Sequence, residues 1–280
     1  MKTKKYLVAG ALMLVMSSPA TAQEVNYAEA LKPIVAALEA APNDPKAAKD
    51  LIKEYQKSFK KNEEAMVALG NVYLLQHNYD QASAIAQSVI DNKKFNGALA
   101  YILRGDIAAL KDSVGNAGAA AAEYQTAISL DPQNVTAYER YAKVYRHVNA
   151  KVAVAKLEEL RKVKPDYPVE ATAAEIMLND GKYAEALKWY NMANPANMSE
   201  DNFYNYGFAA YITKDYNKAL DVAKQGLTKF PGSEYLSRIA MMAAVELKDY
   251  AQAVNFANAV FAGKGKKVSN DYDVCEGSLW

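Results

Sequence analysis

Residues 200–231 read EDNFYNYGFAAYITKDYNKALDVAKQGLTKFP. Phe203, Tyr206, Gly207 and Ala210 fall at helical spacing on a first segment. Ala219, Ala223 and Gly226 do so on a second. The polar turn Lys214-Asp215 separates the two, and Pro231 stops the second. Residues three and four apart share a helix face. Each segment therefore has one face on which a small side chain admits a neighbouring helix while larger ones fill the space around the contact. The stretch predicts a helical hairpin.

The same hairpin recurs along the chain. Tyr79-Asp80-Gln81-Ala82, Tyr183-Ala184-Glu185-Ala186, Tyr216-Asn217-Lys218-Ala219 and Tyr250-Ala251-Gln252-Ala253 are all Tyr-x-x-Ala after a short polar turn, and Tyr27-Ala28-Glu29-Ala30 repeats the pattern near the start. Leu69-Gly70-x-x-Tyr73, Tyr141-Ala142-x-x-Tyr145 and Tyr206-Gly207-x-x-Ala210 mark the helices that precede them. Units begin at 63, 98, 135, 167, 200 and 234, at spacings of 35, 37, 32, 33 and 34 residues. Leu130-Asp131-Pro132, Lys164-Pro165-Asp166 and Phe230-Pro231-Gly232 close them.

This pattern resembles the tetratricopeptide repeat, a helix-turn-helix unit with a period of about 34 residues. The unit at Glu200 supplies the family's signature residues as Phe203, Tyr206, Gly207, Ala210, Ala219, Ala223, Gly226 and Pro231. The unit at Glu63 supplies Met66, Leu69, Gly70, Tyr73, Ala82, Ala86 and Val89. The resemblance implies an all-α fold, a right-handed superhelical α-solenoid. Three units depart from it. Arg104 stands where Leu is usual, beside an intra-repeat turn lengthened over 112–118. Ala142 replaces Gly, and the strict receiving position holds Val154, with Ala153 fitting only when the shorter turn of this unit is allowed for. The first helix of the unit at 167 is weak.

The expected organisation is a signal peptide over 1–22, an N-terminal helical pair over 23–62, six repeats over 63–267, and an incomplete seventh over 268–280 that reads as a truncation. Lys2, Lys4 and Lys5, the apolar run from Tyr6 to Met16 and the small-x-small triplet Ala20-Thr21-Ala22 have the form of a secretory leader cleaved after Ala22. No later run is long and apolar enough to suggest a transmembrane segment in the mature chain. In the N-terminal pair, Tyr27 to Ala41 and Pro45 to Phe59 read as helices, with Asp44 as the cap of the second.

The composition narrows the chemistry. With 33 Lys and Arg against 32 Asp and Glu there is no basic field for nucleic acid. A single cysteine, Cys275, precludes an internal disulfide. The two histidines, His77 and His147, lie far apart, and no His-x-x-x-His or Cys-x-x-Cys spacing suggests a metal. No Gly-rich phosphate loop follows a strand. Glu63-Glu64 and Glu158-Glu159 read as solvated helix charge. No catalytic residue, cofactor or metal is expected, and the chain does not read as an enzyme.

In the resembled family the first helices line a concave groove that takes protein or peptide segments. Carried over residue by residue, its N-terminal part is Asn71, Leu74, Leu75, Ile102 and Asp106. Glu139, Lys143, Arg146, His147, Glu175 and Asn179 form its middle. Tyr204, Phe208, Tyr211, Tyr235, Arg238 and Met242 form its C-terminal part. Exposed aromatic and Met side chains are candidate anchors, and Arg146 and Arg238 offer carboxylate contacts. The Lys/Asn clamp some members use for a C-terminal carboxylate is incomplete, because Val67 stands where Lys is needed beside Asn71. Asp112-Ser113-Val114 resembles an O-glycosylation signal of exported bacterial proteins, which marks Ser113. The expected function is a non-catalytic protein- or peptide-binding scaffold of the cell envelope. The alternatives are a structural part of a larger envelope assembly, or the helper portion of a longer enzyme cut at residue 280.

Overall fold

The structure, a computed structural model, describes residues 26–41, 44, 46–111, 116–263 and 265. The expected leader at 1–22, Ser113, Cys275 and the incomplete repeat at 268–280 lie outside these residues. Among the described residues every regular element is helical, as the hairpin reading requires. The chain divides after Val148 into two units.

The first unit comprises α1 (Tyr27–Ala40), α2 (Lys49–Phe59), α3 (Glu63–Leu75), α4 (Tyr79–Ile90), α5 (Ala98–Lys111), α6 (Ala117–Leu130) and α7 (Val135–Tyr145). The second comprises α8 (Ala150–Val163), α9 (Glu170–Asn179), α10 (Tyr183–Met192), a 3-10 turn (Pro195–Asn197), α11 (Glu200–Ile212), α12 (Tyr216–Lys229), α13 (Glu234–Glu246) and α14 (Tyr250–Ala262). Within each unit consecutive helices pack together. The first helices of successive repeats also touch, α3 on α5 and α5 on α7 in one unit, α9 on α11 and α11 on α13 in the other. This is an all-α solenoid of stacked hairpins.

The turns follow from local chemistry. His77, Gly181, Lys214 and Lys248, each two residues before a Tyr-x-x-Ala start, take φ of 58°, 73°, 64° and 60°. The next residue's N–H reaches back five positions, from Asn78 to Tyr73, Lys182 to Met177, Asp215 to Ala210 and Asp249 to Ala244. That is the left-handed C-terminal motif that satisfies orphan helix carbonyls. The side chains of Asn78, Asp215 and Asp249 then accept from the N–H groups of Gln81, Lys218 and Gln252 and so start the following helix. His77 is thus a turn residue.

One boundary differs from the sequence reading. Asp44 accepts from the Lys46 N–H at 2.9 Å and closes a turn, while the helix itself starts at Lys49 behind Ala48, which makes no side-chain cap. A turn over 46–48 stands where the helix was expected to begin.

The small residues act as foreseen, with one change of partner. A Cβ on Gly105 would come within 2.3 Å of the ring of Tyr124 on its own second helix. On Gly207 it would come within 2.9 Å of Ile239, and on Gly70 it would overlap Leu103. Those two neighbours belong to the next repeat's first helix. Small residues therefore admit the following repeat as well as the hairpin partner. A further contact joins successive repeats. The Glu63 carboxylate accepts from the backbone N–H groups of Asn96 and Gly97, both at 3.0 Å, and Glu234 accepts from Gly265 at 2.8 and 3.1 Å. Glu at the head of a first helix thereby holds the loop that leads out of its own repeat.

Candidate partner-binding surfaces

Tyr204, Phe208 and Tyr211 recur on one face of α11, because steps of three and four return to the same side of a helix. Tyr204 and Phe208 are parallel, with centroids 6.2 Å apart and planes 15° from coplanar. Tyr235 of α13 meets Tyr204 edge-on at 5.8 Å, and Tyr183 of α10 meets Phe208 edge-on at 6.1 Å. The result is a continuous row of Tyr183, Phe208, Tyr204 and Tyr235. Its floor includes Ala210, Ile239, Ala240 and Ala243. Three of the rings are half-buried, whereas Tyr235 is 61% exposed.

The neighbours of this row are polar. Tyr211 packs on Tyr216 at 5.5 Å and donates to Glu246 at 3.3 Å. Burial and then the adjacent Glu246 carboxylate raise the Tyr211 hydroxyl above its ordinary range. Arg238 and Met242 are half-buried on α13. Glu175 of α9 accepts from the Asn202 amide, and Asn202 also closes a capping box with Ser199 at the head of α11. The Glu175 carboxylate is thus engaged inside the fold.

In the first unit the expected groove positions divide. Lys143 and Arg146 are exposed at the end of α7, with the Arg146 guanidinium 3.0 Å from His147 Nε2. Glu139 is exposed as well, and Asn71 and Leu75 are half-buried. Leu74 and Ile102 were expected to face the groove but are core residues, 6% and 8% exposed. Asp106 is turned inward. It accepts from the Tyr124 hydroxyl at 2.8 Å and lies 3.5 Å from Arg140. Burial pushes the Asp106 carboxyl above the usual carboxylate range, against the opposing pull of Arg140, the Tyr124 hydrogen bond and Lys143.

The sequence reading did not place Tyr183 and Tyr216 beside the candidate anchors. Both were taken only as starts of second helices. The Tyr216 ring lies back on Tyr211 of the preceding inner helix, whereas the Tyr183 ring reaches forward to Phe208 of the next repeat's inner helix, and only the constant spacing of the Tyr-x-x-Ala starts could have drawn attention to either.

Among the described residues no three His, Cys, Asp or Glu side chains converge as a metal site needs, and no helix is long and apolar enough to cross a membrane. No family model matches the chain, and no curated protein matches its sequence. Solved structures do match. PilF of Pseudomonas aeruginosa is 17% identical over 79% of this chain and 99% of its own, with a TM-score of 0.54. A tetratricopeptide repeat protein from Parabacteroides merdae is 15% identical over 77% and 84%, with a TM-score of 0.51. YrrB, a tetratricopeptide repeat protein described as having an unusual peptide-binding site, is 18% identical over 69% and 96%, with a TM-score of 0.50. The chain has the tetratricopeptide-repeat fold. In tetratricopeptide terms α3, α5, α7, α9, α11 and α13 are first helices, and the aromatic row lies on two of them together with the start of one second helix, α10.

Proposed function

We propose that this chain is a non-catalytic scaffold of the cell envelope that holds a protein or peptide segment against the first helices of its second unit. The observation that carries this reading is the row Tyr183, Phe208, Tyr204 and Tyr235, half-buried rings ending in an exposed one. Aromatic anchors set on a rigid floor are where binding energy concentrates in protein interfaces. The rings are fixed by one another and by the alanines beneath, so little side-chain freedom is lost on binding. Tyr211, Arg238 and Met242 edge the row. The peptide-binding site ascribed to YrrB supports a peptide role for this fold, and the leader-like residues 1–22 support export to the periplasm or envelope.

The test is affinity capture from envelope extract, identification of the retained protein, and a binding titration with that protein purified. Phe208→Ala/Tyr211→Ala and Tyr204→Ala/Tyr235→Ala should each weaken binding at least tenfold with the helical CD signal unchanged. Equal affinity in wild type and both double variants would sink the proposal.

A further inference from the structure

The chemistry of the aromatic row limits what kind of segment can lie on it. Neither the four rings nor the floor of Ala210, Ile239, Ala240 and Ala243 carries a charge. Among the described residues no hydrogen bond engages the hydroxyls of Tyr183, Tyr204 and Tyr235, and all three residues keep exposed surface. The row therefore offers apolar ring surface and three phenol donors. Charge enters at one end. One turn beyond Phe208 on α11, Tyr211 donates to the exposed Glu246 at 3.3 Å. A neutral hydroxyl leaves that carboxylate its charge, so a cation is favoured beside it.

These features select among the forms a bound segment can take. A β-strand is held by pairing with a sheet edge, and among the described residues every regular element is helical. An α-helix bonds its own carbonyls internally and leaves the phenols unused. A polyproline II segment has no internal hydrogen bonds, so its carbonyls are free to accept. Its proline rings pack on aromatic side chains, and it arrives already ordered. The spacing agrees. The ring-to-ring steps along the row are 6.1, 6.2 and 5.8 Å. At a rise of about 3.1 Å per residue, each step covers about two residues of such a segment and the row about six.

We propose that the segment held by the row is a proline-rich stretch in the polyproline II form, uncharged over the rings and flanked by a basic residue that meets Glu246. This rests on the row being the binding surface, as argued above. The hydroxyls of Tyr183, Tyr204 and Tyr235 donate to carbonyls of the segment, while Phe208 supplies ring surface alone. An acidic flank is disfavoured by Glu246, and a glycine-rich segment loses both the ring contacts and the pre-set backbone. An oligosaccharide stacks its flat faces on open rings, whereas three of these four are half-buried against their neighbours.

The test is titration of the full chain with a hexaproline peptide flanked by arginines and blocked at both ends, followed by amide chemical shifts. Its counterparts are the same peptide with alternating glycine and serine in place of the prolines, the hexaproline flanked by glutamates, and chitohexaose. The arginine-flanked hexaproline should shift the amides of residues 183, 204, 208 and 235 saturably. It should bind at least tenfold tighter than the glycine-serine peptide and severalfold tighter than the glutamate-flanked one. Tyr183→Phe/Tyr204→Phe/Tyr235→Phe keeps the rings and removes the donors. It should weaken the hexaproline about tenfold with the helical CD signal unchanged. Glu246→Gln should remove the preference between flanks. No preference for proline, full affinity in the triple variant, a flank preference that survives Glu246→Gln, or tighter binding of chitohexaose at the same amides would overturn the proposal. A captured partner that needs the row, beside a peptide series without proline preference, would sink this inference alone. Partner capture insensitive to the alanine double variants would sink the reading it rests on as well.

Discussion

The Tyr124 ring closes over the backbone of Gly105, and its hydroxyl donates to the next residue, Asp106, at 2.8 Å. One side chain on α6 thus fixes both how near α5 comes and where its buried carboxylate points. Tyr124 is 1% exposed, so the ring has no free space to retreat into. Gly105→Ala should therefore cost about 1–3 kcal/mol through overpacking. Urea denaturation followed by CD, with amide exchange over 98–130 as the local readout, checks this. Unchanged protection of α5 and α6 would contradict it.

Asp106 should make stability depend on pH. Its folded carboxyl is raised above the unfolded value, burial being the main cause. Between the two values the folded chain holds more protons than the unfolded one. The contribution is then fully present below the unfolded value of about 3.9 and is lost as pH rises through the raised folded value. Asp106→Asn lacks this term. The stability of the wild type relative to Asp106→Asn should fall from about pH 3 to pH 7 in parallel denaturation series. A difference that rises over that range would reverse the assignment.

Lys214 and Lys248 hold left-handed backbone at φ 64° and 60°, where a side chain with a Cβ costs about 1–2 kcal/mol. Gly181 occupies the equivalent place in the preceding hairpin. Lys214→Gly and Lys248→Gly should each stabilise the second unit. The relief is reduced by the greater freedom glycine gives the unfolded chain, which leaves a net gain of up to about 1 kcal/mol. Thermal melts of the single and double variants test this, and lowered melting temperatures would count against it.

Lys229 donates from Nζ to the carbonyls of Ala196 and Met198, both at 2.8 Å, and ties the end of α12 to the 3-10 turn before α11. Lys229→Met keeps the stem and removes the donors. It should cost about 1 kcal/mol, read as faster amide exchange at 196–198 with little change elsewhere. Uniform loosening of the second unit would show that the contact has a wider role.

The helical hairpins were legible because small residues can recur at a fixed period only when each serves the same close approach. The glycines were foreseen as contact points, but Leu103 and Ile239 as their neighbours were not. A hairpin pattern names the residue that yields space without naming which helix takes it. Asp106 was assigned to a wet groove because the resemblance fixes which helix face points inward. It does not say that Tyr124 and Arg140 would cover the carboxylate. Tyr204 and Phe208 were found as candidate anchors because the resemblance placed them on the groove face and their spacing put them on one side of a helix, whereas their contacts with Tyr183 and Tyr235 depend on how successive repeats are set against one another. The start of α2 was misplaced because Asp44 followed by Pro45 initiates a turn as readily as a helix.

The carboxylate of Glu63 and the amides it holds are 33 and 34 residues apart, the length of one repeat. A block of that length copied or excised in register takes with it one acceptor and one set of donors. Where the block runs from the glutamate to its loop, the clasp travels whole. At the two repeats that carry such a clasp, those headed by Glu63 and Glu234, gene duplication or deletion of one such block would leave no carboxylate stranded at the seam.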